Sequence, residues 1–196
     1  MIAGIILAAG ASERMGTPKA LLDFHGETFV TRLTRVLGEH CGSVIVVLGN
    51  HVDQIRPGVP SYARIAINPD PSRGQLSSLQ SGFAELPPEA EGFAFIPVDC
   101  PAVAAETVQS LARTFERRDA GTTFVIPRMN GKRGHPVLAV RSVADELLAL
   151  APTDEARSVV HRHVPNTQYV EVSDAGIFAD IDTPEAYRRL LQEPRA

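Results

Sequence analysis

Lys19 is one of only two lysines in a chain with seventeen arginines, and it closes a loop of small residues. The apolar run Ile5-Ile6-Leu7 opens into Ala8-Ala9-Gly10-Ala11-Ser12-Glu13-Arg14-Met15-Gly16-Thr17-Pro18-Lys19. A buried strand delivers the chain into this loop. Small side chains there let backbone N–H groups approach an anion, and Arg14 and Lys19 place a cation on either side of Gly16. A triphosphate is the ligand that most needs such a cradle. The spacing matches neither the Gly-x-Gly-x-x-Gly of dinucleotide sites nor the Gly-Lys-Ser/Thr of P-loops. A strand followed by a glycine-containing turn is also common architecture in α/β proteins, so the loop draws its meaning from its company.

That company is acidic. Asp99 follows the apolar run Phe93-Ala94-Phe95-Ile96 and precedes Cys100-Pro101, and Asp180-Ile181-Asp182-Thr183-Pro184 lies near the other end of the chain. A carboxylate at the end of a buried strand can ligate a hard cation or brace a turn, and Asp182 alone reads equally as a cap. Paired, Asp99 and Asp182 suit Mg²⁺, which takes oxygen ligands and keeps substrate phosphates and waters in its shell. The segment Asn68-Pro69-Asp70 to Leu79 runs from a strand end into a hydroxyl-rich helix start containing Gly74, Ser77 and Ser78. Its amide can read a base edge, while an ordinary N-cap explains Ser77 or Ser78 just as well. The basic loop Gly131-Lys132-Arg133-Gly134-His135-Pro136 offers a grip for a second phosphate or a ring, or a solvated hairpin turn. Cys100 has no histidine placed by sequence to activate it and reads as a small core filler. His161 and His163, two apart, are expected on different helix faces, which does not suit a metal, and His25, His40 and His51 read as solvated turn residues.

Positioning these groups requires a sheet. Strands are expected at Ile2–Leu7, Ser43–Leu48, Arg64–Ile67, Phe93–Val98, Thr123–Ile126, Pro136–Val140 and Gln168–Val172. Helical spacing covers Phe29–Leu37, Ser78–Leu86, Ala105–Arg117, Val143–Leu150 and Glu155–His163. Thr183-Pro184-Glu185 reads as the start of a last helix after a short strand, with threonine as N-cap and proline in the first turn. Such alternation predicts a mostly parallel sheet with helices on both faces, its ligands at the carboxyl ends of the strands. No repeat or linker interrupts the pattern, so one domain over 1–196 is expected. The composition is 44% hydrophobic and 21% charged, with net charge −4. No basic block points to nucleic acid, and affinity for a phosphate must be local. The first apolar run is too short for a leader or a membrane span, and Cys41 and Cys100 form no metal or disulfide pattern, which fits a reducing cytoplasm.

In Leu7-Ala8-Ala9-Gly10-x-Ser12-x-Arg14-Met15-Gly16-x-x-Lys19, the Asn68–Leu79 segment, Asp99-x-Pro101, Gly134-His135-Pro136 and Asp180-Ile181-Asp182-Thr183-Pro184, the chain closely resembles the MobA-like nucleotidyltransferases. Within them it is most similar to the molybdenum cofactor cytidylyltransferase group, from which it departs at Val98, where relatives carry a small residue. The first motif is shared with sugar-nucleotide and isoprenoid-precursor transferases; Gly-His-Pro and the Asp-Ile-Asp-Thr-Pro ending narrow the match. The resemblance implies a Rossmann-like three-layer fold of the nucleotide-diphospho-sugar transferase type. It also implies transfer of CMP from CTP to the phosphate of molybdopterin with release of pyrophosphate, and Mg²⁺ as cofactor. Transfer of GMP, or transfer to another small phosphorylated acceptor such as a sugar phosphate, is the alternative. From a different class come a non-catalytic nucleotide sensor and a chaperone that delivers cofactor; a molybdoenzyme or its chaperone is the implied protein partner.

Carried over residue by residue, Leu7, Ala8, Ala9, Gly10, Ser12, Arg14, Met15, Gly16, Lys19, Asn68, Gly74, Ser77, Ser78 and Asp99 would contact the nucleotide. Asp99 and Asp182 would hold the metal, Lys19, Arg14 and Asp99 would be catalytic, and Gly134, His135 and Pro136 would meet the acceptor. Guanylyl-transferring relatives tend to carry glycine at the position of Ala9, whose methyl group is expected to narrow the space beside the base and favour cytosine.

Overall fold

All seven residues of the first strand, Ile2–Ala8, are buried, which is the mark of a strand covered on both faces. In chain order the computed structural model contains β1 (Ile2–Ala8), β2 (Asp23–Phe24), β3 (Glu27–Thr28), α1 (Phe29–Gly38), β4 (Ser43–Leu48), α2 (Val52–Ile55), β5 (Arg64–Ile67) and α3 (Gln75–Phe83). It continues with β6 (Gly92–Pro97), α4 (Ala105–Glu116), β7 (Phe124–Met129), β8 (Lys132–Arg133), β9 (Val137–Val140), α5 (Ser142–Leu148), α6 (Ala156–Arg162), β10 (Thr167–Glu171) and α7 (Pro184–Leu190). The structure describes residues 1–151 and 153–192.

The main sheet runs β10-β7-β9-β6-β1-β4-β5, with β8 paired to β7, and β2 and β3 form a separate hairpin. β1 pairs in parallel with both β4 and β6, β4 with β5, and β10 with β7. Among the described residues only β9 and β8 run the other way in this sheet. Parallel return needs a crossover of about a dozen residues, and the stretch 130–136 is too short for one, so β9 comes back antiparallel.

Side chains alternate across the sheet. Ile6, Ala8, Val46 and Leu48 enter the core under α1, α4 and α7, while Ile5, Leu7, Ile45 and Val47 enter the core under α3, α5 and α6. Helix α1 presents Phe29, Val30, Leu33, Val36 and Leu37 as one buried stripe, and its N-cap Thr28 accepts a bond from Thr31 N at 3.2 Å. At the other end Thr183 caps α7 by accepting from Ala186 N at 3.2 Å, with Pro184 in the first turn. Among the described residues no helix is long and apolar enough to cross a membrane.

After β1 the chain winds to β4 and β5 on one side and then returns to lay β6 on the other. The carboxyl ends of β1 and β6 therefore flank a crevice where the connections part in opposite directions.

Candidate active site

The loop after β1 is held in shape by its own polar groups. Ala9 O accepts from Asn50 N (3.1 Å) and from Asn50 Nδ2 (2.9 Å), and the His51 ring bonds Ala11 O at 3.0 Å. Ser12 adopts a left-handed conformation, φ 55°, and its Oγ accepts from Lys19 N at 3.0 Å, so one side chain staples the start of the loop to its end. Leu7, Ala8, Gly10, Ser12, Lys19 and Asp99 are among the residues lining a hollow of about 110 Å³. Gly10, Arg14 and Gly16 are exposed beside it and Met15 is half-buried. Ala9 is buried and its methyl packs against Gly49, where an added Cβ would come within 2.9 Å of it. Ala9 is not among the residues lining the hollow, so the packing gives its methyl a partner in Gly49 beside any part it plays at the base.

Across the crevice stand the acids. Asp99 follows β6, and its carbonyl accepts from Ile181 N at 3.0 Å, which hangs the segment carrying Asp180 and Asp182 directly beside it. That segment is not the expected strand, because among the described residues this bond is its only backbone tie to Asp99's turn. Lys19 Nζ donates to Asp99 Oδ2 at 2.9 Å and to Asp182 Oδ1, and Arg14 donates to Asp182 Oδ2 at 2.5 Å. The Lys19 side chain is only 13% exposed between these carboxylates. Burial opposes its charge, yet the hydrogen bonds to Asp182 and Asp99 prevail and hold its pKa above the ordinary lysine value. Asp182 is held below the usual carboxylate range chiefly by the hydrogen bond from Lys19.

Sequence reasoning left Asp180 out of the site, although residues two apart on an extended segment share a side. The structure brings it in: Asp99, Asp180 and Asp182 each offer an oxygen, all within 4.8 Å of one another. Burial and the charges of Asp99 and Asp182 raise the Asp180 pKa. An all-oxygen set of this kind fits a hard divalent cation. Cys100, next to Asp99, is buried and its thiol is pushed up by burial, which makes it a poor nucleophile.

The Gly134-His135-Pro136 motif meets the same crevice. A cavity of about 550 Å³ is bounded by Asp99, Asp180, Gln75, Arg133, Gly134 and His135, with Ile126, Val137, Ile177 and Phe178 among its apolar walls. His135 N donates to Ile177 O at 2.9 Å, and Gly134 lies so close that a Cβ there would sit 2.4 Å from the same oxygen. The His135 ring stands edge-on to Phe95, centroids 5.5 Å apart. Burial pushes its pKa below the ordinary histidine value, against smaller pulls from Asp99 and the Phe95 backbone. Its Nδ1 is buried and makes no hydrogen bond among the described residues. Pro136 is buried behind it, and Lys132 is exposed on the β7–β8 hairpin.

One group of candidates is tied together by its own hydrogen bonds. Asn68 is 3% exposed; its Nδ2 donates to Ser77 Oγ (2.8 Å) and Ser78 Oγ (3.0 Å), and its Oδ1 accepts from Asp70 N (3.0 Å). Both Nδ2 hydrogens are thus engaged within the turn, and Oδ1 carries the bond from Asp70 N. Ser77 and Ser78 are not N-caps, since α3 begins earlier, after Gly74, and Ser77 Oγ donates back to Gly74 O at 2.8 Å. These residues brace the turn between β5 and α3.

A family model described as the MobA-like NTP transferase domain matches residues 4–167. A Bacillus cereus (strain B4264) protein named probable molybdenum cofactor guanylyltransferase is 31% identical over 195 residues, covering 94% of this chain and 93% of its own length. Among solved structures, that of Rv0371c from Mycobacterium tuberculosis H37Rv is similar with TM-score 0.85 and 28% identity, covering 98% of this chain and 97% of that one. A structure described as Rv0371C in complex with manganese is similar with TM-score 0.81 and 26% identity, covering 98% and 99%.

Proposed function

This chain belongs to the MobA-like NTP transferase family, and we propose that it transfers a nucleoside monophosphate from a nucleoside triphosphate to the phosphate of molybdopterin, releasing pyrophosphate. The observation that carries this reading is Lys19 held between Asp99 and Asp182, at the point where the loop after β1 and the Gly134–Pro136 cavity meet.

In this reading the loop 8–19 receives the triphosphate, with Arg14 and Lys19 neutralising its charge. Asp99 and Asp182, joined by Asp180, hold a divalent cation. Magnesium is our expectation, and the manganese in the mycobacterial relative belongs to the same class of hard, oxygen-seeking ions. When bound, such a cation supplies charge stabilisation for the transferring and leaving phosphates. The cavity wall formed by Gly134 and His135, with Pro136 behind them, takes the acceptor. The acceptor oxygen attacks the α-phosphorus and pyrophosphate departs from the opposite side. A phosphate monoester has a second pKa of about 6, so it arrives ionised and needs no general base. Positioning and fixed charge then carry the rate, and the surroundings of His135 in the crevice disfavour its charged form.

Guanylyl transfer is the first expectation for the base, because the relatives at this identity are named guanylyltransferases. Cytidylyl transfer is the second, favoured by alanine at position 9. The test is pyrophosphate release from each of the four nucleoside triphosphates with Mg²⁺, with and without molybdopterin. Asp99→Ala and Asp182→Ala should each abolish nearly all turnover. Triphosphate binding with no release under any condition would overturn the enzyme and leave a nucleotide sensor or a cofactor-delivering chaperone. Cytoplasmic location and handover of product to a molybdoenzyme follow from this reading as proposals.

A further inference from the structure

Three carboxylates that must share one cation repel each other, and two of them lie far along the chain from the third. Asp99 sits on the turn after β6, whereas Asp180 and Asp182 sit on the last extended segment. The single backbone bond from Ile181 N to Asp99 O is a thin tie for such a meeting.

A stronger tie lies outside the crevice. Asp174, on the same C-terminal segment, reaches across to the start of α4: its Oδ2 accepts from Ala104 N at 2.9 Å and from Thr107 Oγ1 at 2.7 Å. Its Oδ1 accepts from Gly176 N at 2.8 Å, which turns its own chain toward Asp180. Helix α4 has no cap of its own, since Ala104 occupies the N-cap position. Asp174 supplies that cap from a distant part of the chain and puts a negative charge at the positive helix end.

The chain around this contact leaves little slack. Gly176 is pressed onto the turn below Asp99, where an added Cβ would fall 2.3 Å from Ala102 O. From the other side Arg32 of α1 donates to Pro101 O at 2.8 Å. The turn 99–104 is thus clamped between Arg32 and Asp174, and the segment leading to Asp180 and Asp182 is fastened to the same clamp.

We propose that Asp174 is a positioning residue: by joining the C-terminal segment to the start of α4, it brings Asp180 and Asp182 to Asp99 as one cation site. It touches neither substrate nor metal. This rests on the metal-dependent reading given above. An ordinary helix cap would affect stability alone, so the two roles separate by experiment.

The probe is Mn²⁺ in the presence of GTP or CTP, its binding to the protein read as enhancement of water-proton relaxation over that of the Mn²⁺–nucleotide complex alone, with melting temperature measured alongside. Loss of a residue that orients metal ligands costs about 10-fold or more in metal affinity, and Asp174→Ala should raise the Mn²⁺ dissociation constant by that much. The Mg²⁺ concentration for half-maximal activity should shift in parallel, with kcat recovering at saturating metal. Asp174→Asn keeps an oxygen for Ala104 N and Thr107 Oγ1 and places its NH₂ against Gly176 N, so it should restore most of the affinity while losing the local turn. Thr107→Val removes one of the two links from a buried position and should give a smaller rise, which carries the test if Asp174→Ala does not fold. A lower melting temperature with wild-type Mn²⁺ affinity in Asp174→Ala, or in Thr107→Val where the former is unfolded, would overturn the proposal, as would Asp174→Asn as impaired as Asp174→Ala. Absence of Mn²⁺ binding in the wild-type protein with either triphosphate would instead overturn the functional reading itself.

Discussion

Lys19 has two tasks that pull against each other. Its ammonium neutralises Asp99 and Asp182 in the structure, and the proposed chemistry requires the same charge for the triphosphate. Removing one transition-state contact of this type costs about 10²–10³ in rate, which is the loss expected for Lys19→Ala in single-turnover assays. Lys19→Arg should recover only part of it, because a planar fork cannot place its charge where a compact ammonium sits. The ion pairs add a second readout. Asp182 has a lowered pKa, so its contribution to stability is present above the unfolded carboxylate pKa and fades as pH falls through the lower folded value. Lys19→Ala should therefore melt lower than wild type at neutral pH, with the gap closing in acid, and a divalent cation should raise its melting temperature more than that of wild type. A Lys19→Ala protein with full activity would place the triphosphate elsewhere. Ala9 poses a subtler question. A methyl in direct contact with a ligand is worth about 10-fold or more in discrimination. Because this methyl packs on Gly49, Ala9→Gly should move the ratio of kcat/KM for CTP over GTP by less than that. A larger shift would mean that the methyl touches the base.

Between elements the informative residue is Asn68, which joins the end of β5 to the start of α3. Truncating it removes three hydrogen bonds and takes from the buried Ser78 Oγ the bond that Asn68 donates to it, while Ser77 Oγ keeps Gly74 O; an unsatisfied buried group costs about 1–3 kcal/mol. Asn68→Ala should lower the melting temperature clearly, and any rise in KM for the triphosphate should be secondary to that loss. An unchanged melting curve with a large KM effect would restore Asn68 to the binding site. The same segment shows where sequence reading stopped. The strands and the larger helices were legible to within a few residues, because a sheet covered on both faces leaves long apolar runs and helices that cover it show a buried stripe. The start of α3 was not, since a hydroxyl-rich stretch looks like a cap whether its serines bond backbone N–H groups or a distant amide. Nor was the direction of β9, which depends on how little chain separates it from β7. The hairpin of β2 and β3 was missed because two-residue strands leave no periodicity to detect.

For the whole molecule, the types of the charged residues were readable in the sequence but their meeting was not. Lys19 lies 80 residues from Asp99 and 163 from Asp182, and only the topology that puts β1 beside β6 closes those distances. The same closure packs the half-buried His135 against Phe95, and this has a consequence for the fold as a unit. Burial lowers the folded pKa of His135 beneath its unfolded value, so between those two values the unfolded chain binds a proton that the native state refuses. Stability then rises with pH across that window and falls as pH drops below the unfolded histidine value of about 6.5. Glu27, Glu146 and Asp182 also have lowered pKa values, but they lose their contributions only in the carboxylate range, well below this window. The wild-type melting temperature should therefore drop between about pH 7.5 and about pH 5.5, and His135→Gln, which has no proton to take up, should show a shallower drop over the same interval. Differential scanning calorimetry at matched ionic strength measures both slopes. Parallel slopes would mean that the imidazole protonates in the folded protein without penalty, and that the cavity beside Asp99 admits a charged histidine.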